Sequence, residues 1–163
     1  MTPLKFKSIS TLPVLIVLMS VILFYGCQKD EGDITDAKYS LSGSASGGLV
    51  IPAVNTSATG SMIGSYDSRT NQLHYNFSWI SLAAPATDSI IVYGSDEEGV
   101  NTNVIRTFAI TTPGTSGSAI GDAALTDEEE QTLLSSEWYF VIGSNASYPE
   151  GEIRGHIIAT RLN

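Results

Sequence analysis

The stretch Gln72-Leu73-His74-Tyr75-Asn76-Phe77-Ser78-Trp79-Ile80-Ser81 decides the fold. Leu73, Tyr75, Phe77 and Trp79 alternate with His74, Asn76 and Ser78. A period of two belongs to a β-strand with one face on a core and the other turned outward. The turn-forming run Asp67-Ser68-Arg69-Thr70-Asn71 precedes it and predicts a hairpin with residues 58–66. Short apolar runs parted by Gly, Ser, Asn, Asp and Pro continue on both sides. They place further strands near 38–42, 89–93, 103–110, 117–123, 138–142 and 152–159. About eight strands at this spacing predict an all-β fold, an Ig-like or Greek-key-type antiparallel β-sandwich. The run Gly43-Ser44-Ala45-Ser46-Gly47-Gly48 has no lysine and no following helix, so it is no phosphate cradle; its composition predicts a flexible loop at a strand end.

One segment departs from the strand pattern. Thr126-Asp127-Glu128-Glu129 has the form of a capping box, and acids in a first turn suit the positive end of a helix. A short crossover helix is therefore predicted from Thr126 to about Ser136, docked by Leu133 and Leu134. The acidic run 127–130 is read as a helix start, because no glycine-containing calcium loop surrounds it.

The chain has 163 residues, a size for one folded domain. Seventeen acids against eight bases give a net charge of −9, which argues against nucleic-acid binding. The single cysteine excludes an internal disulfide and a cysteine-based zinc cluster. Much of the apolar content sits at the start. Lys5 and Lys7 precede a nearly continuous apolar run from Leu12 to Phe24, too short to span a bilayer and laid out like a secretory signal. The run ends Phe24-Tyr25-Gly26-Cys27. A small residue before a lone cysteine resembles the lipobox of bacterial lipoproteins, with Phe24 and Tyr25 standing where Leu and Ala or Ser are usual.

That resemblance implies cleavage before Cys27 and attachment of acyl chains such as palmitate at its thiol, enough for stable membrane anchoring. A plain signal peptide with an incidental cysteine is the other reading. Lys29, Asp30 and Glu31 follow. They resemble the signal that exports some Gram-negative lipoproteins to the outer face of the outer membrane; a solvated linker is the bland alternative. The expected organisation is a signal peptide over 1–26, an acidic tether over 27–36 and a β-sandwich over 37–163. Without residues 1–26, which carry two lysines and no acid, 137 residues remain at a net charge of −11.

Within that sandwich, residues 50–60 (Val-Ile-Pro-Ala-Val-Asn-Thr-Ser-Ala-Thr-Gly) resemble the opening motif of the chordin-type, or CHRD, domain. Its order continues: Tyr66-Asp67 through Leu73-His74-Tyr75 for the first hairpin, residues 82–87 for a proline-containing link, and Ala124-Leu125-Thr126 with Leu133-Leu134 for the helix. Tyr148-Pro149-Glu150-Gly151-Glu152-Ile153-Arg154-Gly155 resembles the closing signature. The likeness spans about 38–159 and implies a β-sandwich. It makes Pro52, Gly60, Gly151, Glu152, Arg154 and Gly155 motif residues of structural role. Glu152 and Arg154 stand two apart, so they share a strand face and are expected to pair with neighbouring strands; a surface ligand contact is the alternative.

Many members of that family carry a His-x-His-Gly segment after the link and another histidine before the closing motif, which together could hold a transition metal. Here Ile91, Tyr93 and Gly143 occupy those places. His74 and His156, both read as outward strand residues, are the only histidines. No metal site, cofactor or catalytic residue is therefore expected. There is no Gly-x-Ser-x-Gly elbow, and Asp96-Glu97-Glu98 reads as an exposed loop, the most adaptable binding surface in the sequence. The reading is a non-enzymatic cell-envelope lipoprotein, held to the membrane through Cys27, that binds a protein or glycan. A structural subunit of an envelope complex is the alternative, and a metal-dependent or hydrolytic enzyme the remote third.

Overall fold

In the computed structural model, residues 37–94 and 103–163 are described. Cys27, Lys29, Asp30, Glu31, the signal segment, the tether and the acidic loop at 96–98 lie outside them. The elements are β1 (Lys38–Ser46), a 3-10 turn (Gly47–Leu49), β2 (Thr59–Asp67), β3 (Gln72–Ile80), β4 (Ala86–Gly94), β5 (Val104–Ala109), β6 (Gly117–Ala124), α1 (Asp127–Leu134), β7 (Trp138–Ser144), β8 (Tyr148–His156) and β9 (Ile158–Arg161). The strand order is β5-β4-β7-β8-β1-β2-β3-β6, with β9 on β1. Every pairing is antiparallel.

The sheet rolls into two facing halves. Between β8 and β1 the ladder is a single pair, Ser46 with Arg154, and there the sheet turns over. The opposed inner faces form one core. Met62, Leu73, Phe77 and Trp79 come from one half, and Ile90, Val92, Phe108, Phe140 and Ile142 from the other. Phe77 sits between the halves, its ring centre 5.2 Å from Phe140 and 5.4 Å from Phe108, at the tilted angles aromatic pairs favour. Both buried indoles are satisfied: Trp79 donates to the Gly114 carbonyl (2.9 Å) and Trp138 to the Thr132 hydroxyl (2.8 Å).

Two expectations need correction. Gly43–Ser46 is not a loop but the second half of β1, paired with Gly60–Met62 and with Thr59 of β2. Its glycine serves a close approach. A Cβ at Gly43 would stand 2.3 Å from the His156 carbonyl, and one at Gly155 2.4 Å from the Ser44 carbonyl. Backbones of β1 and β8 thus meet where only glycine fits, and the Phe140 ring covers both glycines. The predicted strand 152–159 is two strands. β8 starts earlier, at Tyr148, and pairs with β7; after buried Ile157 the chain changes partner and β9 pairs with β1.

The edges left by the roll, β5 and β6, are joined by one side chain. Arg106 of β5 donates to the Ala124 carbonyl at the end of β6 (3.0 Å) and two-pronged to Glu129 of α1 (2.8 and 2.7 Å). Glu129 also completes the capping box with Thr126, the reciprocal bonds being 2.8 and 3.3 Å. Burial alone would raise the Glu129 pKa; the Thr126 amide and the Arg106 guanidinium outweigh it and hold the carboxyl below its ordinary range. A folded-state pKa below the unfolded one means a contribution complete above the ordinary carboxylate range and lost as pH falls through the folded value. Glutamine keeps the cap and loses the charge. Glu129→Gln is thus expected to lower stability by about 1–2 kcal/mol at neutral pH, with the gap to wild type closing in thermal melts taken at progressively lower pH.

Candidate ligand-contact face

Period two in β4 and β7 sends Ile90, Val92, Phe140 and Ile142 into the core, so Ile91, Tyr93, Tyr139 and Val141 face the other way. The antiparallel register with β8 then lays out two rows: Ile91–Val141–Arg154 and Tyr93–Tyr139–His156. In the second row the tyrosine rings stack, centres 5.3 Å apart and planes 14° from parallel, and His156 tilts against Tyr139 at 5.9 Å. The Arg154 guanidinium lies over the Tyr139 ring, 3.8 Å from its centre, a cation–π contact. Burial raises the pKa of both phenols; the Tyr139 and Glu150 charges add to it at Tyr93, and Arg154 partly offsets it at Tyr139. Both hydroxyls therefore stay protonated at neutral pH.

Glu152, two residues before Arg154, has another destination. Its carboxylate is fully buried. It accepts the Thr56 hydroxyl (2.6 Å) and, through both oxygens, the Ala83 amide (3.0 and 3.1 Å). Thr56 in turn accepts from the Ala58 amide at 3.1 Å. One carboxylate thus fastens residues 50–58 and the 82–87 link to the middle of β8. Gly151 just before it has φ +141°, a conformation in which a side chain is strained, and a Cβ there would meet Val141 at 2.6 Å. Gly60 faces Ile153 across the core, where a Cβ would come within 2.8 Å of it, and Pro52 is exposed on the loop.

The model of the CHRD domain matches residues 40–157, from β1 through β8. The chain belongs to the CHRD domain family. No curated protein and no solved structure matches it significantly. Three of the segments that carry the CHRD likeness, residues 50–60, 82–87 and 148–155, meet at Glu152.

The three places held by histidine in many CHRD domains fall on one side of this one. Ile91 and Tyr93 are on the outer face of β4, and Gly143 follows Tyr139 and Val141 along β7. At Gly143 a Cβ would stand 2.7 Å from the Pro149 carbonyl and 2.9 Å from that of Tyr148, so this backbone has no room for an imidazole. Among the described residues no three His, Cys, Asp or Glu side chains gather to hold a metal. His74 and His156 stand on different halves of the sheet; His74 faces Asp122 across β3 and β6, exposed.

Tyr139 is the residue of this face that the sequence alone does not single out. Trp138-Tyr139-Phe140-Val141-Ile142 is apolar at every position, which marks a strand covered on both sides but does not say which ring is stacked. The cross-strand register, which no local pattern shows, makes Tyr93 and Tyr139 partners.

Proposed function

We propose that this CHRD domain is displayed on the bacterial cell envelope as a lipoprotein and acts as a non-enzymatic binding or adhesion module. The observation that carries the reading is the lone cysteine, Cys27, placed directly after a small residue at the end of an apolar run, with an acidic tether between it and the sandwich. A lipid anchor needs no spanning helix, and among the described residues no helix is long and apolar enough to cross a membrane. Lys29, Asp30 and Glu31 supply the surface-export signal. The ligand is a protein or a glycan, and the loop over 50–58 flanks the rigid sheet that presents it.

Fractionation tests the anchor. The wild-type chain is expected in the outer membrane, labelled by palmitate and removed from intact cells by added protease. Cys27→Ser is expected to lose the label and leave the membrane fraction. Full protection from protease would refute surface display, and an unlabelled, membrane-bound Cys27→Ser chain would refute the lipid anchor.

A second reading, a structural subunit of an envelope complex, draws on the opposite face. Ile158, Ser42, Ile63, Asn76 and Ile120 form one row across β9, β1, β2, β3 and β6. Its three isoleucines are 47%, 58% and 72% exposed, and the Asn76 Oδ1 is buried without a partner among the described residues. Apolar rows of this kind mark contact surfaces. A crosslink from position 120 to one defined envelope protein in intact cells would favour this reading over the first.

A further inference from the structure

Arg154 is only 6% exposed, yet no described residue offers its guanidinium a hydrogen-bond acceptor or a carboxylate; the face of the Tyr139 ring lies 3.8 Å from it. Buried arginines are ordinarily paired, because a desolvated charge is costly without a counter-charge. Stacking on a ring satisfies the plane of the guanidinium and leaves its edge, with the N–H donors, unused. The two acids nearest it in sequence are engaged or apart. Glu152 is committed to Thr56 and Ala83, and exposed Glu150 makes no ion pair with Arg154. Beside Arg154 lies a groove of about 250 Å³ lined by Arg154, His156, Gly48, Leu49 and Ile51. Leu49 and Ile51 are half exposed, an apolar wall on the opening loop facing a cation on the closing strand.

We propose that this groove is a binding site for a carboxylate carried on a small apolar body. The guanidinium fork takes the carboxylate two-pronged, the geometry for which arginine is better shaped than lysine. Leu49 and Ile51 cover the apolar part. The groove is smaller than the pockets that hold drug-sized ligands, so it takes one side-chain-sized group. Such a group is offered either by a free short-chain acid or by the C-terminus of a peptide ending in an apolar residue. Non-specific attraction is not the source of binding, because residues 37–163, with thirteen acids against five bases, carry a net charge of −8 and repel anions. The site deepens the reading of the domain as a binding module and is independent of the lipid anchor, so failure of one leaves the other standing.

The test is an NMR titration of the full chain in non-ionic detergent, following the Arg154 Nε–H and Leu49 methyl signals. Isovalerate is expected to shift both with a Kd of about 1 mM, acetate to shift Arg154 alone and more weakly, and isopentanol, which lacks the carboxylate, to shift neither. A tripeptide ending in leucine binding at least tenfold tighter than its amide would identify the chain-terminal source; isovalerate binding without it would identify the free acid. Arg154→Lys, which keeps the charge and loses the fork, is expected to weaken isovalerate at least tenfold. Leu49→Ser, on an exposed position, should reduce isovalerate to the level of acetate without changing the melt, and it keeps the test valid if Arg154→Lys fails to fold. Equal, weak shifts from isovalerate, acetate and inorganic phosphate, unchanged by Leu49→Ser, would overturn the proposal, as would no shift at all.

Discussion

Replacing Glu152 by alanine is expected to destabilise the domain by about 3 kcal/mol, a fall in melting temperature of roughly 10 °C. The carboxylate is fully buried and accepts from Thr56 and, twice, from Ala83. Alanine leaves the Thr56 hydroxyl and the Ala83 amide without an acceptor, and each unsatisfied buried donor costs about 1–3 kcal/mol. It also leaves a space behind and frees two loops from β8. Glutamine keeps one oxygen acceptor, so Glu152→Gln should lose roughly half as much. Chemical denaturation of the three proteins measures this. A loss under about 1 kcal/mol for Glu152→Ala would mean that the loops are held by something other than this carboxylate.

Phe140→Ala is expected to cost about 3–5 kcal/mol, the range for a fully buried phenylalanine. Its ring touches Phe77 of the opposite half at 5.2 Å and covers Gly43 and Gly155, where β1 and β8 approach most closely. Gly43 and Gly155, which have no side chains and lie against backbone carbonyls, cannot fill the space on their side. Phe140→Leu should recover most of the loss. Ile120→Ala, at a position 72% exposed on the outer face, should stay within about 0.5 kcal/mol of wild type and serves as the control. Equilibrium unfolding in urea separates these outcomes. Similar midpoints for Phe140→Ala and Ile120→Ala would contradict a core centred on the Phe77–Phe140 contact.

The hairpin was readable from residues 66–81 alone. Strict alternation fixed which residues of β3 face the core, and a turn-rich run of five fixed its partner. The capping box was equally readable, since Thr126 and Glu129 act within one turn. Features set by distant contacts were not. Glycine-rich 43–48 looked like a loop because composition reports freedom, whereas here glycine serves the approach of a strand over a hundred residues away. The break at Ile157 was invisible because the apolar pattern runs on while the strand's partner changes. Glu152 and Arg154 shared a face on paper, yet loop closure claims one and a tyrosine ring the other. The Arg106 clasp, too, joins residues 23 apart that no local pattern links.

The intact mass of the mature chain, extracted from cell membranes, tests the claim of an envelope-anchored CHRD module most directly. The expected species begins at Cys27, has lost residues 1–26 and carries the added mass of its acyl chains. A mature chain with an unmodified Cys27, or one beginning after it, would contradict a lipoprotein anchor.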